Sequence, residues 1–443
     1  MGHELKTRGH RVSLIGIPDI RAKAEIAELE FIQVGEKEFP TGSLKKIFSP
    51  MKKLKGVAAE RYLNNQAIKE VALVLNETPA LIQEAGVEAL LVDQISAGSR
   101  IARFLNLPYI TICNAMHTNR EITIPPFNTL WQYNQAWWAL LRNQLGYKML
   151  DILWTPNPKT LAEYQQIFNK FNSSKLSNYS SLAILSQMLS EFDFPRQRLP
   201  QRFHYVGSIQ NEALVSDIPF PWEKLTGEPL IYASMGTAAN QYVDVFEKIA
   251  TACEGLDIQL VMSLGGNLRP EDLPELPTNT IVVNYAPQLK LLQKASLTIT
   301  HAGMNSTLES LVNGVPMVAI PVIYDQPGIA SRIVWTGVGE AIALKSVNVS
   351  RLRKAITKVL TEDTYKQNAN RLKEASKQAG GVTRAADIIE QAVATGEPVL
   401  SSLLKLTCRF IELIWYLFLK YKGFRKPVLK SLTNIRVQKT EKL

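Results

Sequence analysis

Residues 281–328, IVVNYAPQLKLLQKASLTITHAGMNSTLESLVNGVPMVAIPVIYDQPG, place polar side chains at the ends of apolar runs. The run Leu297–Thr300 predicts a buried strand that ends at His301-Ala302-Gly303, and a helix carrying Asn305, Ser306 and Glu309 follows. A strand that enters a glycine turn and then a helix start leaves unpaired backbone N–H groups pointing outward, where the helix dipole favours negative charge. Such a turn can hold a phosphate or a diphosphate. Gly314-Val315-Pro316, a second buried strand at Met317–Ile320 and the pair Asp325-Gln326 come next. Upstream, the strand Leu230–Ala233 runs into Ser234-Met235-Gly236-Thr237. Lys290 and Lys294 are the basic residues of 285–310, and none lies inside the turn 301–306. An anion there would be held by N–H groups, hydroxyls, an imidazole and the dipole, each worth about 0.3–1 kcal/mol when exposed and up to ~2 when partly buried. No Asp-x-Asp pair occurs in the chain, so no metal is expected.

The series Ala286-Pro287-Gln288, His301-x-Gly303-x-Asn305-Ser306-x-x-Glu309-Ser310, Gly314-Val315-Pro316 and Asp325-Gln326 resembles the donor signature of the family 1 UDP-sugar glycosyltransferases. The phrases FDFPRQRLPQRFHYVG (192–207) and ITIPPFNTLWQY (122–133) resemble the bacterial macrolide and zeaxanthin glucosyltransferase branch. The resemblance implies that His301 and Ser306 contact the donor diphosphate with Asn305 beside them. Glu309 and Gln288 would reach the ribose, and Asp325 and Gln326 would hold hydroxyls of the transferred sugar. Ser234-x-Gly236-Thr237 would add a hydroxyl near the phosphates. Tyr285 stands where many relatives have a Trp that stacks on uracil, and a phenol ring can also stack. A carboxylate next to an amide at 325–326 suits recognition of several hydroxyls. The resemblance further implies an inverting transfer of a hexose, glucose above all, from a UDP-sugar co-substrate to a hydroxyl of a lipophilic acceptor such as a carotenoid.

Asp93 ends the apolar run Ala89–Val92. By resemblance it takes the place of the carboxylate that orients a catalytic histidine; the alternative is a cap for the following helix. The chain opens MGHELKTRGHRVSLIGIPD, in which Gly2–Arg8 reads as the second half of a helix, Gly9 as its end and Val12–Ile17 as a strand. A Rossmann-like domain opens on a strand and a loop ahead of that helix, and the resemblance puts the general-base histidine on this loop. Neither precedes the helix in this sequence. Of the five histidines, His117, just past the strand Leu107–Ile112, is the substitute-base candidate, with a polar loop residue as the alternative. Two functions therefore stay open: an active hexosyltransferase, or an inactive nucleotide-sugar- or lipid-binding protein at a membrane surface. The aromatic stretch 125–154 offers Trp131, Trp137 and Trp138 as walls of an acceptor pocket, or as core.

Strands are expected at 12–17, 88–92, 107–112, 182–185 and 203–206, then at 230–233, 258–263, 280–284, 297–300, 316–320 and 340–344, with helical stretches between. Alternation of this kind implies an α/β fold with parallel sheets and sites at the strand C-termini. The resemblance implies the GT-B arrangement, two Rossmann-like domains facing across a cleft. The expected division is an acceptor-binding domain at 1–208, a linker at 209–228, a nucleotide-sugar domain at 229–382, a helix at 383–399 and a basic amphipathic tail at 400–443.

The 443 residues are 46% hydrophobic and 20% charged, a globular composition long enough for two or three domains. Cys113, Cys253 and Cys408 fit neither a disulfide framework nor a zinc site, so a reducing, cytoplasmic compartment is expected, and no signal peptide is apparent. The net charge of +10 is concentrated in residues 401–443, which hold ten Lys or Arg against two Glu, so it does not point to nucleic acid. Within the tail, 403–421 makes a very apolar helix with one narrow polar stripe, and its uncharged core 413–419 is too short to span a bilayer. Residues 403–430 suit a helix lying on an anionic membrane, at roughly 1 kcal/mol per basic residue, or a helix that packs on protein.

Overall fold

The computed structural model describes residues 1–401 apart from 53, 55–56, 156, 172–178, 211–217, 238–241 and 267. The expected amphipathic tail helix at 403–430 lies outside the described residues.

Every expected strand forms near its expected place, and one more appears. The strands are β1 (Ser13–Gly16), β2 (Glu30–Gln33), β3 (Leu90–Asp93), β4 (Tyr109–Cys113), β5 (Ile184–Ser186) and β6 (Phe203–Tyr205). They continue with β7 (Leu230–Ser234), β8 (Gln259–Ser263), β9 (Thr280–Val283), β10 (Ala295–Thr300), β11 (Met317–Ala319) and β12 (Gly339–Ala341). The unforeseen strand is β2, whose four residues EFIQ are half-exposed and carry no alternating pattern. All pairings are parallel, in sheets of order β1-β2, β3-β4-β5-β6 and β12-β11-β10-β7-β8-β9. The fully buried runs LIYAS and QLVMS show why: strands covered by helices on both faces read as continuous apolar segments.

The six-stranded sheet fixes where a ligand can bind. From β7 the chain runs outward through β8 and β9, then returns to lay β10 on the other side of β7. Thr300 therefore pairs with Ser234 at the carboxyl ends of β10 and β7. Loops leave these two ends in opposite directions and open a crevice, the topological switch point at which open α/β sheets bind ligands.

One apolar core lies within the second half, around Phe246, Leu260, Met262, Ile299 and Ile356. Another joins the halves, with Met116, Met188, Leu189 and Phe192 packed among Met304, Leu308, Met317, Ile329 and Ile333. The helix Gly381–Thr395 crosses back to the first half. There Ala385, Ala386 and Ile389 pack with Leu5, Ile110 and Leu182, and Arg8 pairs with Asp387 at 2.7 Å and Glu390 at 2.8 Å. Residues 1–399 form one compact unit, the GT-B arrangement of two α/β halves around a crevice. Among the described residues no helix is long and apolar enough to cross a membrane.

Candidate active site

The crevice at the ends of β7 and β10 holds a cavity of about 460 Å³. Thr300 ends β10, Ala302 takes a left-handed conformation (φ +61°), and Gly303 caps the helix Met304–Asn313. The N–H of Ala302 is held by the Thr300 hydroxyl at 3.1 Å, so the turn keeps its shape without a ligand. The imidazole of His301 fills the space between two glycines. A Cβ on Gly236 would lie 2.6 Å from Nε2, and one on Gly303 would lie 2.4 Å from it. A side chain at either glycine would displace the ring. Burial lowers the His301 pKa to about 4, against a smaller opposite effect of the Ser234 backbone. The ring is neutral at pH 7 and brings no positive charge to the cavity. Met304, Asn305 and Ser306, the first turn of the following helix, line the same cavity.

The other donor-side residues form a network. Gln288 begins the short helix Gln288–Leu292; its carbonyl accepts from the Tyr232 hydroxyl at 2.9 Å, and its amide donates to Glu309 and, at 3.4 Å, to Ser306. Tyr285 stands half-exposed beside it, its hydroxyl against Gly266, where a Cβ would lie 1.9 Å away. At the other end, Asp325 accepts from the Met116 N–H at 2.9 Å across the two halves. Burial raises the Asp325 pKa, and the Met116 bond opposes that. The Gln326 carbonyl is occupied by the N–H groups of Val322 (2.9 Å) and Ile323 (3.0 Å), which leaves its amide N–H₂ to donate.

Beyond Met116 lies a second cavity of about 310 Å³. Phe127, Leu150, Tyr147 and Trp154 form its apolar side, and Gln94, Arg196 and Arg332 its polar side. The polar wall is a buried charge cluster. Asp193 accepts from Arg332 of the second half at 2.7 Å, and from Arg196 (3.1 Å), Tyr205 (2.7 Å) and His117 Nε2 (3.0 Å) of the first. Burial alone would raise the Asp193 carboxyl, but the charges of Arg332 and Arg196 hold it well below the usual carboxylate range.

A helix N-terminus that can hold a diphosphate therefore adjoins a carboxylate–amide pair, and these adjoin a half-apolar cavity. A family model described as UDP-glucoronosyl and UDP-glucosyl transferase matches residues 10–379. The chain belongs to this family. It is similar to the zeaxanthin glucosyltransferase of Pantoea ananas, 33% identical over 405 residues that span 90% of this chain and 94% of the relative. The zeaxanthin glucosyltransferase of Pseudescherichia vulneris is 31% identical, over 89% of this chain and 94% of the relative. Among solved structures, the calicheamicin glycosyltransferase CalG4 superposes with a TM-score of 0.68 at 19% identity, over 88% of this chain and 93% of that one.

In this glycosyltransferase the residues expected at the donor site converge. Ser234, Gly236, Thr237, Tyr285, Ala286, Gln288, His301, Gly303, Asn305, Ser306 and Asp325 all line the first cavity. Glu309 stands behind Gln288, and Gln326 holds the turn before its helix. Asp93 and His117 share no hydrogen bond. Asp93 accepts from the Ile95 N–H at 3.0 Å, capping its own turn, and from Asn114 Nδ2 at 2.8 Å. His117 is buried in the charge cluster, and its Nδ1 is sealed from solvent with no partner among the described residues. Burial and then the Arg196 charge lower its pKa to about 4. It lines the second cavity as a buried ring hydrogen-bonded to Asp193.

The three tryptophans, expected as walls of an acceptor pocket or as core, do not line the second cavity. The helix Trp137–Trp154 turns its small residues Ala139, Asn143 and Gly146 inward, which leaves Trp137 and Trp138 on the solvent side. Trp131 packs over Gly146 and under the guanidinium of Arg142. Phe127, Tyr147, Leu150 and Trp154 are the aromatic and apolar residues of this stretch that line that cavity. Sequence reasoning also missed Asn114 and Ala115, the first-half wall of the donor cavity, although they directly follow the buried strand YITIC and so sit at a strand C-terminus. Asp193 and Arg332 are 139 residues apart, and no sequence pattern links them.

Proposed function

We propose that this enzyme transfers a hexose, glucose in the first instance, from a UDP-sugar to a hydroxyl of a lipophilic acceptor such as a carotenoid, with inversion at the anomeric carbon. The observation that carries this is the bond from the Met116 N–H to Asp325, which joins the diphosphate cavity to the half-apolar one at the sugar end. The helix N-terminus at Met304, His301, Ser306 and the hydroxyls of Ser234 and Thr237 hold the diphosphate. Gln288 and Glu309 take the ribose, Tyr285 stacks on the base, and Asp325 and Gln326 orient the hexose. The acceptor oxygen forms its bond to C1 as the bond from C1 to the diphosphate oxygen breaks. UDP leaves with the electron pair, and the hydroxyl proton goes to a base. Asp93, at the C-terminal end of β3 beside the cavity residue Asn114, is the carboxylate proposed to orient that base and stabilise its charged form. The leaving charge is met by N–H groups, hydroxyls and the helix dipole, so the transfer is proposed to need no divalent cation. A lipophilic acceptor resides in a membrane, which sets the enzyme to work at a membrane surface.

The test uses the full chain with UDP-glucose and a dihydroxy carotenoid in phospholipid vesicles, following carotenoid glucoside and UDP together. Equal amounts of both are expected, at a rate unchanged by EDTA. Asp93→Asn should lower kcat by about 10²-fold or more, the scale of general-base catalysis, with UDP affinity by calorimetry unchanged. UDP binding without turnover on any lipophilic alcohol would favour the inactive nucleotide-sugar-binding protein. Loss of rate in EDTA would refute the metal-free step.

A further inference from the structure

The helix Trp137–Trp154 is apolar on both sides, and the fold uses one. Ala139, Asn143, Gly146 and Leu150, at spacings of four, three and four, form the buried side. A Cβ on Gly146 would lie 2.7 Å from the Trp131 ring, so the helix sits close against the body. The opposite side presents Trp137 (77% exposed), Leu141 (50%), Leu145 (52%) and Ile152 (68%), flanked by Trp138 and Met149. From 137 to 152 this stripe is about 22 Å long. A surface helix normally turns charged and polar residues to water, and a contiguous apolar patch of this length marks an interaction surface.

We propose that this outer face docks on an anionic lipid bilayer, the helix lying in the headgroup plane. Charge selects the occupant. Lys148 lies within the stripe and Arg142 at its edge, whereas the nearby acid, Asp151, is already paired with Arg120 at 2.6 Å. The surface that complements an apolar stripe with unneutralised cations is an acyl layer under anionic headgroups. The tail 401–443 also carries apolar residues, but its ten Lys or Arg against two Glu would set like charge against Lys148 and Arg142. Trp137 and Trp138 at one end of the stripe suit the interface between headgroup and acyl chain. The same helix supplies Tyr147, Leu150 and Trp154 to the acceptor-side cavity, and Trp154 is itself 39% exposed. Docking by this face would therefore hold that cavity within one helix diameter, about 10 Å, of the layer in which a lipophilic acceptor dissolves. This last step rests on the proposed transfer; the docking does not.

The experiment uses the full chain carrying Leu145→p-benzoylphenylalanine, irradiated with vesicles of phosphatidylcholine and phosphatidylglycerol. A cross-link to lipid is expected. A cross-link to a peptide from 402–443 or from a second copy of the chain, or none at all, would overturn the proposal. In parallel, Leu141→Glu/Leu145→Glu should lower the fraction floating with these vesicles about tenfold while leaving UDP affinity unchanged. Unchanged flotation would sink the idea. A simultaneous loss of UDP affinity would report misfolding and leave the cross-link to decide. Loss of flotation with transfer to a detergent-dispersed acceptor retained would separate docking from the reaction.

Discussion

The glycines of the donor turn answer to one imidazole. Gly236 and Gly303 both face His301 closely, but their backbones differ: Gly236 has φ +77°, which a side chain would strain, whereas Gly303 has φ −66°, which any residue adopts. Gly303→Ala therefore tests the ring alone. Its methyl would meet Nε2 at 2.4 Å and must push the ring away from the helix N-terminus. A lost hydrogen bond to a charged group is worth about 1.5–3 kcal/mol, so the UDP dissociation constant should rise roughly ten- to a hundredfold. The thermal midpoint should move little, since the far end of a side chain can shift. An unchanged dissociation constant in calorimetry would remove His301 from the diphosphate.

At the scale of elements, the start of the helix Gln326–Trp335 joins the halves. Asp325 binds the Met116 N–H, and at the third residue of the helix the Gly328 N–H donates to the Phe127 carbonyl at 2.8 Å. A Cβ on Gly328 would lie 2.3 Å from that carbonyl oxygen and 2.4 Å from the Met116 methyl. The oxygen belongs to backbone and cannot swing aside as a side chain can. Gly328→Ala should cost about 1–3 kcal/mol, the usual range for overpacking, and lower the thermal midpoint by several degrees. Because Met116 and Phe127 also line the acceptor-side cavity, KM for the acceptor should rise as well. A midpoint equal to the parent's would show that the contact yields without cost.

For the whole molecule, the buried cluster at Asp193 makes stability depend on pH in a definite direction. His117 has a folded pKa of about 4 against 6.5 when free, because burial and Arg196 disfavour its charged form. Between these values the unfolded chain binds a proton that the folded ring refuses. Its contribution is therefore complete above about pH 6.5 and is lost as pH falls towards about 4, at up to about 1.4 kcal/mol per pH unit. His301, lowered to about 4 by burial, acts in the same window and the same direction. The Asp193 carboxyl, held below its ordinary value, contributes above about pH 4 and so adds nothing to the slope within that window. His117→Gln keeps a donor for Asp193 and removes one titrating ring. It should make the urea midpoint fall less steeply between pH 6.5 and 5. A parental slope would mean that the ring is already protonated in the folded state.

What the sequence determined by itself was short-range. A fully buried run such as LIYAS can only be a strand covered on both faces, and a strand followed by His301-Ala302-Gly303 must release N–H groups at the next helix start, because both are properties of a few consecutive residues. The residues that line the first cavity were legible for that reason, and most come from the single stretch 285–326. Tertiary structure decided the rest. The abundance of aromatics in 125–154 did not say that Ala139, Asn143 and Gly146 would face inward and turn Trp137 and Trp138 to solvent. His117 has the right type and neighbourhood for a base, and only the arrival of Asp193, Arg196 and Arg332 around it makes it a buried neutral ring. Contacts such as Met116 to Asp325 and Arg332 to Asp193 depend on how two separately formed sheets pack, and packing complementarity has no period or motif along the chain.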